Sequence, residues 1–328
     1  MNELALAVFA SETGAHLIRP PVGSRWAAHL RTFDAAAYEQ RLAATGFSFV
    51  ARSAAAFPSQ LHAIHDPPPG LFLRGSAHVD LLARPAVAIV GARACSGYGA
   101  SVARTLARDL AQSGLVVVSG LARGIDAEAH RGALEAGGAT IAVLGCGIDR
   151  DYPAAHAELA RRIAATGLIV AEYAPGVAPA PWRFPARNRI VAGLAAAAVV
   201  VEARERSGAL ITADLALEEG RDVFAVPGEI TSSLSDGTNA LLKLGASPLT
   251  CANDVLSCFE LELTAPTVAA PTGDAARVLA LLRESAAAAD EVARASGLPA
   301  SAVARALVEL ELEGRVVSAD GLYRPRLA

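Results

Sequence analysis

Short apolar runs alternate with longer mixed segments from Val87 onward, and this alternation predicts the architecture of the chain. The runs are apolar on both faces, as in parallel strands covered by helices on both sides. They are Val87–Val90, Leu115–Val118, Thr140–Leu144, Leu168–Val170, Ala198–Val201 and Val223–Val226. Helices are expected between them at Tyr98–Ser113, Asp126–Ala136, Ala154–Thr166 and Gly208–Glu219. The pattern predicts a doubly wound α/β fold with a mostly parallel sheet.

The part of the chain before this alternation has two different patterns. Residues 1–56 contain helical stretches at Trp26–Leu30 and Ala35–Ala44, and we expect a small helical region there. Residues 57–262 are assigned to the α/β domain. Its entry is rich in proline, with a short strand predicted at Leu71–Gly75.

The last part of the chain has the element order of a winged helix-turn-helix. A linker is predicted at 263–273, where Thr, Pro, Ala and Gly dominate. Residues 274–328 then show three helical stretches and a hairpin. Ser301 is expected to cap the third helix, and Gly314 to end it.

Composition favours a soluble cytoplasmic protein without a membrane partner. The chain has 328 residues, of which 53% are hydrophobic and 19% charged, and its formal net charge is −4. It is therefore long enough for two or three domains and is not uniformly basic. Its longest apolar run, Ile190–Val201, is too short to span a membrane, and Met1–Ala10 lacks the basic start of a signal peptide.

The cysteines and histidines point to no metal site. None of the four cysteines forms a Cys-x-x-Cys pair, and no histidine cluster completes a zinc pattern. We therefore expect reduced and mostly buried thiols.

Glycine, serine and arginine follow the first two predicted strands, at the edge where open α/β sheets bind ligands. Each of these two loops opens a helix, whose free backbone N–H groups can bind an anion. The candidate residues are Gly91, Arg93, Ser96, Ser119, Gly120 and Arg123. Asp126 is expected to cap the second of these helices.

The segment Trp182–Arg189 interleaves aromatic residues with arginines, a composition typical of single-stranded nucleic acid sites. Its candidates are Phe184, Arg187, Asn188 and Arg189. The alternative is that the aromatic residues are packing and that one arginine forms an ion pair. Glu172 and Glu202 lie nearest the strand ends, and we expect them to orient Arg187 or Arg189 rather than to catalyse a reaction.

A third helix start follows the fifth predicted strand, where Ser207 and Gly208 are further anion-binding candidates. The sequence argues against a nicotinamide dehydrogenase and excludes a P-loop NTPase. Arg93 stands where Gly-x-Gly-x-x-Gly needs its second glycine, and the chain has no Gly-Lys-[Ser/Thr]. Polyanion binding at one edge of the sheet is the interpretation that remains.

Several of these motifs, in the same order along the chain, resemble the DNA-processing protein A (DprA/Smf) family over roughly residues 57–260. They are Phe57-Pro58, Asp66-Pro67-Pro68, Val87–Gly99, Ser119–His130, Gly145-Cys146-Gly147, Arg187-Asn188-Arg189, Ser207–Thr212 and Gly237-Thr238-Asn239. The resemblance implies an extended Rossmann domain that binds single-stranded DNA and forms a homodimer. It also implies loading of a RecA-type recombinase onto incoming DNA during natural transformation, with no cofactor and no enzymatic activity.

The resemblance also implies roles for individual residues. The family's phosphate-gripping arginine falls on Arg93, and its base-contacting aromatic falls on Phe184. Its pocket residues fall on Gly91, Ser96, Ser119, Gly120, Arg187 and Asn188. A lysine that some members carry three positions before this aromatic residue is Pro181 here, so we expect another residue to supply that phosphate contact.

The two ends of the chain depart from the family pattern. Residues 1–56 are short for the helix-hairpin-helix-like domain with which many members begin. The third helix of the winged helix carries Arg305 against Glu309, Glu311 and Glu313, whereas duplex binding requires a basic face. Contact with a protein is at least as well supported there.

Two other functions remain as alternatives. Phosphoribohydrolases of the lysine-decarboxylase-like type use Gly-Gly-x-Gly-Thr-x-x-Glu on a related fold. The corresponding stretch here begins at Ser207, and the glutamate position falls on Asp214 or Leu215, depending on the alignment. A transcription regulator with a nucleotide-sensing α/β domain is the other alternative, and the acidic third helix argues against it.

Overall fold

A large mixed sheet forms the centre of the structure, a computed structural model that describes residues 2–14, 20–261, 263, 271–319 and 321–325. Its strands are β1 (Phe47–Ala51), β2 (Gly70–Arg74), β3 (Ala86–Val90), β4 (Val116–Ser119), β5 (Thr140–Leu144), β6 (Leu168–Ala171), β7 (Ala197–Val200), β8 (Asp222–Ala225) and β9 (Ser247–Pro248). The strand order is β1-β2-β6-β5-β4-β3-β7-β8-β9.

The topology of the sheet places a crevice between β3 and β7. From β3 the chain builds outward through β4, β5 and β6, and it then returns to the other side of β3 with β7. All pairs from β6 to β9 are parallel, whereas β2 runs antiparallel to β6 and β1 antiparallel to β2. Ligands of such sheets bind where the winding direction reverses, beyond the carboxyl ends of the strands.

Helices cover both faces of the sheet, which confirms the predicted doubly wound fold. They are α1 (Glu3–Thr13), α2 (Ser24–Thr32), α3 (Ala35–Ala44), α4 (Ser59–His62), α5 (Gly97–Gln112), α6 (Ile125–Glu135), α7 (Ala157–Thr166), α8 (Arg183–Gly193), α9 (Gly208–Glu218), α10 (Asp236–Lys243) and α11 (Ala252–Leu256). Along β3, Ala88 and Val90 belong to the core shared with α8 and α9. Val87 and Ile89 belong to the opposite core, with α5 and α6. Alternate residues of one strand thus pack on opposite faces.

Residues 1–56 contain the expected helices and also a strand that the sequence analysis did not anticipate. Strand β1 extends the central sheet by pairing with β2, Phe49 lying opposite Phe72. Helix α1 packs on the same sheet through Leu4 and Val8. The N-terminal segment is therefore continuous with the α/β core in the described residues.

The C-terminal segment has the helices and hairpin of a winged helix, as predicted. Its elements are α12 (Gly273–Glu284), α13 (Ala289–Ser296), α14 (Ala300–Leu312), β10 (Val316–Ala319) and β11 (Leu322–Pro325). Gly314 follows α14 with φ +68°, as expected of a helix stop. The predicted cap was wrong: α14 begins one residue before Ser301, because Pro299 stands at the cap position with its φ already near the helical value. Most of the predicted linker, residues 264–270, lies outside the described residues.

The thiols are less buried than expected. All four cysteines are free, but only Cys146 is buried, while Cys95 and Cys251 are partly exposed and Cys258 is exposed. In the described parts of the chain, no helix combines the length and the apolar character that crossing a membrane requires.

A buried histidine of α6 is hydrogen-bonded to the first residue of β5. The Thr140 hydroxyl donates to the Val117 carbonyl oxygen at 2.7 Å, so its oxygen accepts a hydrogen bond from the His130 Nδ1–H, also 2.7 Å away. His130 is fully buried, and burial lowers the pKa of its imidazole from 6.5 to about 3. It is therefore neutral in the folded protein.

This histidine predicts a specific pH dependence of stability. Between pH 6.5 and about 3 the unfolded chain binds a proton at His130 that the folded protein does not bind. The free energy of unfolding should therefore fall as the pH falls, by up to about 1.4 kcal/mol per pH unit from this group. His130→Gln should remove that contribution in urea unfolding between pH 6.5 and about 5, whereas His65→Gln, at an exposed position, should keep the original slope. Equal slopes in the two variants would contradict the assignment.

Candidate nucleic-acid interface

An open cleft lies where the sheet topology predicts a ligand site. Its volume is about 450 Å³, and it is bounded by the loop after β3, the first turn of α8, and the loop that joins β7 to α9. Seven of the predicted site residues line this cleft. They are Gly91, Arg93, Phe184, Arg187, Asn188, Ser207 and Gly208. Segments distant in the sequence thus meet at one place.

Arg187 forms the floor of the cleft and holds its loops together. Its side chain is 5% exposed, and its Nη1 donates to the Gly120 carbonyl oxygen at 2.8 Å and to the Val143 carbonyl oxygen. A side chain on Gly120 would overlap the guanidinium, since a Cβ there would lie 2.2 Å from Nη2. Burial lowers the pKa of Arg187, although the Asp126 carboxylate opposes that shift. Arginine stays protonated under such conditions, so the floor carries a positive charge.

Asp126 supports the loop after β4 instead of capping α6. The helix begins at Ile125, which places Asp126 inside its first turn. Its Oδ2 accepts from the backbone N–H groups of Gly120 and Ala122, at 3.2 and 3.3 Å. Burial raises the pKa of this carboxyl, and Arg187 acts in the opposite direction.

The loop after β3 is fastened by Glu202, which was expected to orient an arginine. The Ser96 hydroxyl donates to Glu202 Oε1 at 2.5 Å, and the Ser96 N–H donates to Oε2 at 2.9 Å. Ser96 Oγ also accepts from the Gly99 N–H at 3.0 Å and so caps α5. The start of α5 is therefore occupied by the protein's own groups, and Ser96 does not line the cleft. Glu172 is the acid that pairs with an expected arginine, Arg189.

The start of α9 is the helix N-terminus that lies at the cleft, and Ser207 caps it, since its Oγ accepts from the Ala209 N–H at 3.3 Å. Ser207, Gly208 and Ala209 line the cleft, and a Cβ built on Gly208 would meet nothing within 4 Å. The Asn188 Nδ2 donates to the Gly208 carbonyl oxygen at 3.1 Å, which fixes this turn against α8. Backbone N–H groups at such a helix start favour an anion.

An aromatic and cationic stack borders the cleft. Phe184 is half-buried, and the ring of Tyr152 stacks on it with centroids 5.3 Å apart and an interplanar angle of 24°. The Arg93 guanidinium carbon lies over the Phe184 ring, 5.4 Å from its centroid. Gly145 lies directly against the ring edge, since a Cβ there would be 2.8 Å from Phe184 Cδ1. Phe184 thus has neighbours on several sides.

Two arginines of the cleft were missed by the sequence analysis. Arg204 and Arg206 line the cleft and are exposed, as is Arg93. None of the three has an ion-pair partner in the described part of the chain, whereas Asp126 is the one acid among the described lining residues. The signal was present in the sequence, because both residues fall in the loop at the carboxyl end of β7. These charges make the cleft locally positive in a chain of net charge −4.

Other predicted residues lie outside the cleft, and most of them have structural contacts. Ser119 is fully buried, and its hydroxyl donates to the Ile89 carbonyl oxygen at 2.6 Å. The carbonyl oxygen of Gly120 accepts a hydrogen bond from Arg187. Arg123 is exposed on the same loop but does not line the cleft.

Arg189 forms a buried ion pair. Its Nη2 donates to Glu172 Oε1 at 2.6 Å, and its Nε lies 3.2 Å from Asp66 Oδ2. The side chains of Arg189 and Glu172 are 8% and 9% exposed. Burial alone would lower the pKa of Arg189, but the two carboxylates raise it. The alternative that one arginine of this segment forms an ion pair is therefore confirmed for Arg189.

Comparison with known proteins identifies the family. A sequence model of DNA recombination-mediator protein A matches residues 48–260, and a model of the DprA winged helix domain matches residues 262–321. The chain belongs to the DNA recombination-mediator protein A family. This confirms the resemblance noted from the motifs, and the family match begins inside β1.

Individual members of the family are similar over most of the α/β domain. A DNA processing protein DprA of Streptococcus pneumoniae is 50% identical over 204 residues, which cover 62% of this chain and 71% of that protein. An X-ray structure of the Streptococcus pneumoniae protein aligns with a TM-score of 0.65 and 44% identity, covering 72% of this chain and 81% of that chain.

A second solved structure of the family is described by its DNA-binding mode. It concerns the single-stranded DNA binding mode of DNA processing protein A from Helicobacter pylori. It aligns with a TM-score of 0.59 and 33% identity, covering 65% of this chain and 95% of that chain.

The buried pair predicts that Arg189 stabilises the fold. Arg189→Met leaves Glu172 without its cation in a buried site, and we expect the free energy of unfolding to fall by about 3–5 kcal/mol. Urea unfolding at neutral pH measures the change. Arg161→Met is the matched control, since Arg161 pairs with Glu158 at 2.5 Å on the surface, where such pairs contribute little. A loss no larger than that of the control would show that the pair does not stabilise the protein.

Proposed function

We propose that the cleft binds single-stranded DNA and that the protein acts as a recombination mediator. The observation that carries this proposal is the group of Arg93, Arg204 and Arg206, exposed around one cleft without carboxylate partners among the described residues. A stack of aromatic rings lies beside them. Guanidinium groups bind phosphates, and aromatic faces stack unpaired bases of any sequence.

The proposed contacts divide between phosphate and base. Arg93, Arg204, Arg206 and the Gly208 N–H at the start of α9 provide donors for backbone phosphates. Phe184 and its stacked neighbours provide the aromatic surface. Of the residues expected from the sequence, we keep Gly91, Arg93, Phe184, Arg187, Asn188, Ser207 and Gly208 as the proposed site. Ser96, Ser119, Gly120 and Arg189 are proposed to support it from outside, and Arg123 to contact the strand at its margin.

The biological role rests on the family. The Helicobacter pylori relative is described as binding single-stranded DNA, and we transfer that ligand to this chain. We further propose that the protein acts in the cytoplasm as a homodimer and loads a RecA-type recombinase onto incoming DNA during natural transformation. The C-terminal division of the chain, with an α/β domain that ends at 262 and a winged helix at 274–328, is part of the same proposal, whereas the expected start of the α/β domain at 57 is wrong because β1 belongs to its sheet.

The winged helix is proposed to contact a protein or to have a weak auxiliary role in DNA binding. On α14, Arg305 lies 3.6 Å from Asp274, so a carboxylate already faces the basic residue of this helix. Val308 and Leu312 are 54% and 85% exposed on the same helix. This surface is apolar and acidic, whereas binding of duplex DNA requires a basic surface.

A nucleotide hydrolase is the less favoured alternative. Asp214, one of the two positions where the hydrolase motif would carry its glutamate, is exposed and does not line the cleft. Asp126 does line it, but two backbone N–H groups and Arg187 already engage its carboxylate. Neither acid is placed to activate a water molecule at an open position of the cleft.

Fluorescence anisotropy of a labelled, mixed-sequence single strand, at two salt concentrations, tests the proposal. A duplex of the same sequence serves as the competitor. We expect salt-dependent binding that the duplex competes for poorly. A chain that does not bind the strand, or that prefers the duplex, would overturn the proposal. Release of free base from nucleoside monophosphates would then support the hydrolase.

Arg93→Ala should weaken binding to every sequence and flatten the salt dependence. Each phosphate neutralised on a single strand contributes about 0.7 to the slope of log affinity against log salt, and the variant should lose roughly one such contact. Arg84→Ala is the matched control, because Arg84 is exposed just before the opposite end of β3. If both variants keep the original slope, Arg93 does not contact a phosphate.

Phe184→Ala should weaken binding without changing the salt dependence. A base stacks on Phe184 only by displacing a neighbour such as the Arg93 guanidinium, and the loss of that stacking should cost roughly 1–3 kcal/mol of binding free energy, measured by the same titration. Phe47→Ala removes a half-buried ring from edge strand β1 and controls for a general loss of structure. An unchanged affinity in Phe184→Ala would remove this ring from the site.

A further inference from the structure

Tyr152 presents an open aromatic ring at the outer end of the stack that borders the cleft. It lies in the loop that begins at Gly145, directly after β5, and the residue is 43% exposed. It does not line the cleft itself. Its ring stacks on Phe184, which does line the cleft and which carries the Arg93 guanidinium. The order of groups is therefore Arg93, Phe184 and then Tyr152, leading away from the cleft.

Phe184 has little free surface for a base. Gly145 lies against its edge, Tyr152 stacks on it, and Arg93 lies over it. A base that stacks on Phe184 must displace one of these groups. The exposed part of Tyr152 requires no such displacement, so it is the aromatic surface of this stack that a base can reach directly.

The charged side chains around Tyr152 are hydrogen-bonded within the protein, and one pair of them is an ion pair. Arg74 Nη2 donates to Asp151 Oδ1 at 2.5 Å, and Arg150 Nη2 donates to the Gly176 carbonyl oxygen at 3.0 Å. Asp149 Oδ1 accepts from the Gly176 N–H at 2.9 Å. Two arginines and two aspartates thus balance in this patch. A strand that passes over it gains stacking but no net ionic attraction.

We propose that Tyr152 forms a second base-stacking position, which binds a nucleobase next to the nucleotide whose phosphate contacts Arg93. This inference rests on the proposed function, because it places a further nucleotide of the same single strand. The strand would run from the α9 side of the cleft, past Arg93 and Phe184, and outward over the carboxyl end of β5.

An abasic strand distinguishes base stacking from phosphate binding. The test compares a base-bearing single strand with a strand of equal length that carries only sugars and phosphates. Tyr152→Ala should weaken binding of the base-bearing strand roughly 5- to 150-fold, should leave the salt slope unchanged, and should not affect the abasic strand. Tyr152→Phe keeps the ring and should bind both strands as the unchanged protein does.

Tyr38→Ala is the matched control. Tyr38 also contacts a phenylalanine ring, Phe33 at 5.5 Å, and carries an arginine, Arg41 at 5.0 Å. It lies on α3 and does not line the cleft, but lines a separate pocket with Gly176 and Arg183. Its replacement should change the affinity for neither strand, and thermal unfolding of each variant shows that the fold is retained.

A tryptophan at the position of Tyr152 reports the contact directly. In the Tyr152→Trp variant, the added indole emission should be quenched as the base-bearing strand binds, in excess of any change from Trp26 and Trp182 in the unchanged protein. The abasic strand should not cause that extra quenching.

The outcomes separate this inference from the proposed function. If the unchanged protein binds no single strand, both fail. If it binds and Tyr152→Ala binds equally well, only the inference fails. If Tyr152→Ala weakens both strands equally, Tyr152 merely supports Phe184 and Arg93, and the inference is again overturned.

Discussion

The loops of the cleft depend on a buried cation, because backbone carbonyl groups at the carboxyl edge of the sheet need partners where water does not reach. Arg187 donates hydrogen bonds to the carbonyl oxygens of Gly120, after β4, and Val143, within β5. The Asp126 carboxylate of α6 lies near enough to stabilise its charge. Burying a guanidinium is costly, and several hydrogen bonds and a nearby carboxylate offset that cost. The same arrangement requires a glycine at position 120, where a side chain would overlap the guanidinium.

Three consecutive residues of α8 thereby perform three different tasks. Arg187 bonds both the loop after β4 and strand β5, and Asn188 bonds the first turn of α9. Arg189 points to Glu172 at the end of β6 and to Asp66 of the entry segment. The helix that borders the cleft is thus bonded to elements on both sides of the reversal in the sheet. The exposed arginines can meet a polyanion on a floor that does not have to reorganise, which favours binding.

Buried and exposed arginines differ in what they contribute. Arg187 and Arg189 are enclosed and already bonded, so they shape the site. Arg93, Arg204 and Arg206 face solvent without acid partners among the described residues, so they remain available to phosphates. A net charge of −4 does not prevent this, since Asp126 is the one acid among the described lining residues and local charge governs contact at distances of a Debye length or less.

The sequence predicted those features that local pattern determines. Apolar strands covered on both faces revealed the sheet and the helices between the strands, and the ends of the strands indicated the cleft. The sequence did not predict the contacts that depend on packing between distant segments. Ser96 meets Glu202, and Tyr152 stacks on Phe184, only because β3, β5, β7 and α8 converge. Strand β1 was missed because Phe47–Ala51 is short and gains its stability from pairing with β2. Arg204 and Arg206 could have been predicted from their position after β7. Only the structure shows that neither has an ion-pair partner among the described residues.

Photo-cross-linking of bound single-stranded DNA, followed by mass spectrometry of the linked peptides, tests most directly whether this cleft holds the strand. Ultraviolet light excites the bases, which then form covalent bonds with residues in contact with them. The method therefore maps the contacts without any substitution in the protein. We expect cross-links in the peptides that contain Phe184 and Tyr152, and none in α14 of the winged helix. Cross-links confined to α14 or to the β10–β11 hairpin would contradict the account and would move the binding surface to the winged helix.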